Sequence, residues 1–317
     1  AVSASNADVP DNDYIAKHKP LPIRIGTHLR RYWQLWLMAL PAMVFVFIFA
    51  YIPMYGIQLA FRDFVPSKGL TGGAFVGFKY FVQFFTSPMF ASTMINTFKI
   101  SLGTLVLGFL APIVLALLIN QIGSKKVKGF VQTVTYMPHF ISTVVIVAML
   151  NIFLTPQTGL IGRFLGSQSV LDNADAIAPI YWISEVWQHV GWNAIIYLAA
   201  LSNVDQELYD AAKVDGAGYW KQTWHVTLPG ITSIIVMMFI MRMGFVFSVG
   251  ADRILLLYNA SNYDVSDVIN TYVYRLGMQD ANFGLSTAVG LFNSVIGTIL
   301  LLASNKILKK LSGTSMF

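Results

Sequence analysis

The chain has no cysteine. That excludes disulfides, thiolate metal sites and thiol nucleophiles, and leaves the redox compartment open. Charge is also scarce: 11% of the 317 residues are Asp, Glu, Lys or Arg, against about 25% in soluble domains. Catalytic and nucleotide-binding signatures are missing too. There is no G-x-x-x-x-G-K-[S/T], since the "GSKK" at Gly123 lacks the spacing, so the chain has no P-loop of its own. Neither H-E-x-x-H nor G-x-S-x-G occurs, and the five histidines are scattered, which leaves an intramembrane hydrolase nothing to work with. What fills the chain is apolar: 56% hydrophobic residues and a mean hydropathy of +0.61. A soluble fold cannot bury that much apolar surface, so the bilayer is the solvent this composition implies. The +6 net charge then reads as basic loops on one membrane face rather than as a nucleic-acid footprint.

Residues 1–22 are polar and rich in Asp and Pro and read as a disordered tail. Residues 23–36, with Arg24, Arg30, Arg31, Trp33 and Trp36, suit an amphipathic helix at the membrane surface. The membrane domain is expected over 37–310, followed by a tail at 311–317. Six apolar stretches lie near 35–60, 100–121, 130–154, 180–202, 228–250 and 285–304, each close to the roughly 20 residues of a spanning helix. The expected fold is therefore an all-α membrane protein of about six transmembrane helices. With both termini inside, Lys and Arg favour the cytoplasmic segments by about two to one. Gly123–Gly129 is the sharpest inside marker, and Arg253 counts as an outside loop charge. The aromatic stretch Phe78–Phe90 reads as interface anchoring, and Arg253–Gly277 as an amphipathic segment folded back on the outer face.

Between spans four and five lies a charged, glycine-broken segment, 203–229, which this topology places in the cytoplasm. Asn203 followed by Gln206 resembles a capping box. Leu208, Ala211, Ala212 and Val214 can form the apolar side of a short helix, which Asp215-Gly216 stops. A second short helix would carry Tyr219 to Val226, and Pro229 suits the first turn of the next span. Such a helix pair is too apolar on one side for water and seeks a partner with a groove.

Asp210-Ala211-Ala212, Asp215-Gly216-Ala217 and Val226-Thr227-Leu228-Pro229 together resemble the "EAA" signature of permease subunits of binding-protein-dependent ABC importers. The first acid is Asp210 where that family usually has Glu, a carboxylate on a shorter stem. The six-span arrangement and the order of residues after Asp252 are similar to the maltose-type sugar permeases, over about residues 30–310. The resemblance implies that 204–215 is a coupling helix inserted into an ATPase subunit, and that the working assembly has a second permease, two ATP-binding cassette subunits and a periplasmic substrate-binding protein in a bacterial inner membrane. ATP hydrolysis would then belong to a partner, and no cofactor is expected here.

Charges inside spans usually mark function. Glu185 in span four and Arg242 in span five flank the coupling segment. Glu185, His189 and Trp192 share one helix face, as do Arg242, Phe245, Val246 and Val249 on an extended span five. A stacking Trp192 with a cationic Arg242 suits a saccharide, and one with carboxylates in particular; the resemblance to the polysaccharide-type branch of these permeases implies an acidic cargo such as alginate. The plainer alternative is a Glu185–Arg242 ion pair that only pins two helices. A different class remains open as well: an ion-coupled carrier using Glu185 and Arg242 as a relay, for which the 203–229 segment has no use.

Overall fold

The protein is described from a computed structural model covering residues 31–165 and 169–313. The expected tail at 1–22, most of the interfacial segment 23–36 and residues 314–317 lie outside the described residues. The chain divides into two units, Ala1–Ile57 and Gln58–Phe317. The described part of the first is α1, a candidate span over Trp33–Phe61 whose last residues enter the second unit. Trp33 and Trp36 belong to this helix rather than to a separate surface helix. Pro41 is held inside regular α-helix. Pro53 instead follows a π turn at Phe47–Tyr51. Its missing N–H and its ring against the carbonyl four residues back explain why the ladder widens there.

In the second unit α2 spans Lys79–Thr86 and α3 spans Pro88–Asn120, which Ser87 caps by accepting from the Met89 N–H. α3 starts well before the apolar stretch at 100, because its first turns face protein. Phe84, fully buried, packs edge-on against Phe90 and Phe292 and stacks near Tyr272. The aromatic run Phe78–Phe90 is thus partly core, not only an interface belt, although Phe78 and Phe85 are exposed. The third expected span is broken. α4, Lys125–Tyr136, continues through a 3₁₀ turn at Met137–Phe140, and α5, Thr143–Leu154, leaves at 95°. Pro138 removes one rung of the ladder, Ile141 and Ser142 take extended backbone angles, and the Ser142 hydroxyl caps the new helix.

α6 runs Ala174–Ser202 with Asn173 as its cap and packs along α3. α7 covers Gln206–Val214 and α8 covers Tyr219–Gly244. Three short helices follow, α9 (Ala251–Leu257), α10 (Tyr263–Ser266) and α11 (Ile269–Tyr274), before α12 (Phe283–Ser312), which ends on left-handed Gly313. Helix therefore reaches past 310 into the expected tail. The segment after Arg253 does fold back, but Ile254, Leu257, Val268 and Ile269 make it part of the core instead of a layer on the surface. Asn96 on α3 donates to the Asp264 and Asp267 carbonyls, and Arg275 grips the Asp267 carboxylate with both guanidinium arms at 2.8 and 3.2 Å.

Among the described residues there is no β-strand, only two isolated bridges, and the protein is an all-α membrane protein. Four helices among the described residues are long and apolar enough to span, α1, α3, α8 and α12; the bent α4–α5 pair makes five. The remaining expected span, α6, has the length, at 29 residues, but Glu185, Gln188, His189 and Asn193 make it more polar than the other spans. Span five also ends early. Helix stops at Gly244 with Phe245 as C-cap, and 245–250 is irregular.

Candidate functional site: a polar cavity beside α6 and the segment joining α6 to α8

The joining segment folds from its own local signals. Asp205, not Asn203, caps α7, accepting from the Glu207 N–H at 3.0 Å, while Asn203 closes the end of α6. At the other end the Gly216 N–H reaches the Lys213 carbonyl at 3.0 Å and the Ala217 N–H reaches the Ala212 carbonyl at 2.8 Å, with Gly216 at φ +75°. That pair of bonds is a Schellman motif, whose left-handed position glycine fills without strain. The expected second short helix is instead the first part of α8. A π turn at Thr223–Thr227 carries it into Leu228 and Pro229. Tyr209 donates to Thr227 and ties α7 to α8. No residue of α7 is buried; Leu208, Ala211 and Asp210 are exposed, Ala212 half-buried, and Val214 is 89% exposed. Among the described residues Asp210 pairs with Lys213 alone, an exposed pair at 3.1 Å. Asp215, Gly216 and Pro229 are exposed and Ala217 and Leu228 half-buried.

α3, α6, α8, α9 and the start of α5 line a cavity of about 320 Å³. Glu185, His189, Arg242, Phe245, Val246 and Val249 all border it, though the last three do so from irregular backbone and not from a shared helix face. The carboxylate of Glu185 is not paired with Arg242. Its Oε2 lies 2.9 Å from Nη2 of Arg253, a side chain only 2% exposed. Arg253 also donates to Ser184 Oγ at 2.7 Å and to Gln188 Oε1, and its guanidinium lies over the Tyr181 ring. Four groups thus satisfy a buried cation. Arg242 differs. Among the described residues it forms no hydrogen bond or ion pair, and its guanidinium rests near Gly108 of α3, where an added methyl would sit 3.4 Å away. Asp252 is exposed at the rim, in the first turn of α9, where the helix N-terminus favours a negative charge.

Trp192 does not border the cavity. Its ring stacks on His139 at 4.4 Å and 5°, with Phe140 edge-on. His139 in turn meets His189, Nδ1 to Nδ1, at 3.0 Å, and His189 Nε2 is 3.6 Å from Glu185 Oε1. The α4–α5 break is therefore clamped on α6. The clamp needs close helices: a methyl on Gly191 would lie 2.0 Å from the Thr135 carbonyl oxygen.

Sequence reasoning missed Arg253, Gln188 and Ser184. Arg253 looked like a loop charge because it follows the apolar run; its signal was the apolar segment Ile254–Leu257 right behind it. Gln188 lies three residues after Glu185 in an intramembrane helix, a polar repeat that called for the same reading.

The comparisons agree with this architecture. The family described as "Binding-protein-dependent transport system inner membrane component" matches residues 106–312. Over 314 residues the chain is 39% identical to the polygalacturonan/rhamnogalacturonan transport system permease protein YteP of Bacillus subtilis (strain 168), covering 98% of each chain. It is also 39% identical over 294 residues to protein LplB of the same organism, covering 91% of this chain and 92% of that one. Among solved structures it matches, at TM-score 0.83 and 37% identity, a chain of a bacterial ABC transporter involved in the import of the acidic polysaccharide alginate, over 91% of this chain and 99% of that one. With the match covering most of the second unit, joining segment included, the chain belongs to the family of inner-membrane components of binding-protein-dependent transport systems.

Proposed function

We propose that this chain is a permease subunit of an ATP-driven importer that carries an oligo- or polysaccharide, and that its cargo is acidic. The permease assembly would pair it with a second permease, with two ATP-binding cassette subunits that receive α7, and with a periplasmic binding protein on the opposite face. Both termini and α7 then lie in the cytoplasm. The observation that carries the acidic cargo is Arg242. Glu185 is already neutralised by Arg253, so Arg242 borders the cavity as a cation with no protein partner among the described residues. An intramembrane arginine without a protein counter-charge is costly unless water or cargo solvates it, and a guanidinium matches a uronate carboxylate with two parallel hydrogen bonds. The relatives named for polygalacturonan/rhamnogalacturonan and for alginate carry cargo of that chemistry. Family membership also speaks against the ion-coupled carrier. Glu185, the other half of its relay, is held by a buried arginine.

The test is uptake of labelled oligosaccharides of alginate, of polygalacturonate and of a neutral glucan, at matched membrane abundance. Arg242→Ala is expected to cut acidic uptake about tenfold, the effect of losing one charge-assisted contact. Arg242→Lys restores part of it, because an ammonium lacks the fork. Equal losses for neutral and acidic sugars would overturn the role given to Arg242.

A further inference from the structure

Two walls of the cavity come from segments that are not continuous spans. One is the start of α5, where Thr143 follows the α4–α5 break; the other is the start of α9, where Asp252 sits. Both segments are bonded to the same amide. Gln188 on α6 is 3% exposed. Its Oε1 accepts from Arg253, and its Nε2 donates to the Ile141 carbonyl at 2.8 Å. Ile141 is extended, and its carbonyl lies at the break between two helices. We propose that Gln188 is a positioning residue that couples these two walls, so that α9 and the α4–α5 break shift together when the cavity opens or closes.

The argument is one of donor and acceptor order. An amide has one acceptor end and one donor end. Rotating it would set its NH₂ against the Arg253 guanidinium and its oxygen against the Ile141 carbonyl, two repulsive contacts in a buried site. The side chain therefore has a single orientation, fixed jointly by its two partners. When Arg253 withdraws, the amide is free to turn and the Ile141 bond weakens; when the break moves, the hold on Arg253 loosens. Glu185 and Ser184 bind Arg253 and His189 binds His139, but each of these touches one wall only. Among the described residues, Gln188 is hydrogen-bonded to both.

The absence of cysteine makes a direct test possible in the assembled transporter, purified with its partner subunits. Thr143→Cys and Asp252→Cys, introduced one at a time, report the two walls through their maleimide-labelling rates. Rates are read at rest and after trapping with ATP and vanadate. In an otherwise unchanged chain both rates are expected to change together. Gln188→Glu keeps the volume and still accepts from Arg253, but an ionised carboxylate cannot donate to Ile141. In that variant the response of the α9 wall is retained while the response of the wall at the α4–α5 break falls about fivefold, the lower end of ordinary coupling between sites. Gln188→Leu, which has neither arm, is expected to uncouple both. A packing role predicts instead that Gln188→Glu, being isosteric, leaves the two responses linked. Linked responses in Gln188→Glu, or unlinked responses in the chain with Gln188 intact, would overturn the proposal. The readout requires ATP only and is independent of which sugar is carried.

Discussion

Glu185 and Arg242 looked equivalent in the sequence, two charges in neighbouring spans. Their environments separate them. Glu185 faces an arginine that is 2% exposed, so Glu185→Ala leaves a buried cation short of its counter-charge, an effect of about 3–5 kcal/mol. Reduced thermal stability of the purified complex is the expected outcome, with Glu185→Gln milder because its amide oxygen can still accept from Arg253, as the Glu185 carboxylate does. Arg242→Ala removes no hydrogen bond or ion pair among the described residues and should cost much less stability than Glu185→Ala while uptake falls. If both variants melt alike, the distinction drawn between the two residues fails. The pairing partner was not legible because hydropathy treats a charge after an apolar run as a loop charge. Only the fold-back of α9 shows that Arg253 returns to the interior. Trp192 lies outside the cavity for a related reason: helix periodicity gives the face a residue shares, not which neighbouring segment packs on that face, and here His139 does.

At the scale of elements, the segment from Asp205 to Pro229 was the most legible part of the chain, because caps and glycine turns act through nearest neighbours. Gly216 sits at φ +75°, where a β-branched residue is an outlier. Gly216→Val should therefore block transport while membrane insertion persists, measured as uptake against immunoblotted abundance; normal uptake would mean that the chain does not need this turn. Asp210→Ala should be milder, since its exposed pair with Lys213 is worth at most about 0.5 kcal/mol. The bent α4–α5 pair was harder to see, because an apolar run continues across it and the local signals were slight, Pro138 and the capping Ser142. A second element, the loop 62–75 before α2, closed by an antiparallel bridge between Arg62 and Phe75, carries a pH dependence. Asp63 accepts from Lys79 at 2.9 Å and from Tyr80 at 2.7 Å. Hydrogen bonding by Lys79 and then Tyr80 lowers the Asp63 pKa. Burial first, and the bond to Asp63 second, push the Tyr80 phenol from 10.0 up to about 12. The raised phenol stabilises the fold fully below its unfolded pKa, and that share is lost as pH climbs through the folded one; the lowered carboxylate contributes above its unfolded pKa and is lost as pH falls through the folded one. Tyr80→Phe should remove a late-titrating tyrosine from the ultraviolet pH titration and blunt alkaline destabilisation. An unchanged titration would show that Tyr80 does not hold this bond.

For the whole molecule, composition fixed the class at once and the Lys/Arg distribution proposes its orientation. A reporter active only in the cytoplasm should work when fused after Gly123, Lys213 or Lys310 and be silent after Asp172 or Ser261; activity at Ser261 would invert the orientation and leave α7 without its proposed ATPase partner. Removing Arg253 from the outside loops, since it is buried, strengthens the asymmetry on which that orientation rests. The number of spans was legible only approximately. Periodicity and hydropathy found every long helix, but they could not show that one is sharply bent, that another stops at Gly244, or that α6 turns a polar side, with Ser184 and Gln188 buried, toward its neighbours.

That property of α6 bears on how the chain is made. A helix leaving the ribosome is released into lipid one segment at a time, and each charge near its centre opposes that step by about 2.5–3.5 kcal/mol while each leucine-like residue returns only about 0.3–0.6. With Glu185 near its middle and Gln188, His189 and Asn193 beside it, α6 alone is a poor candidate for integration. α3, which packs along it and emerges earlier, supplies the surface that α6 needs. Residues 174–202 placed alone in a translocon-integration assay should remain largely outside the bilayer, whereas the same residues following 88–165 should integrate. Equal integration in both settings would mean that the membrane, and not the earlier helix, receives this segment during synthesis.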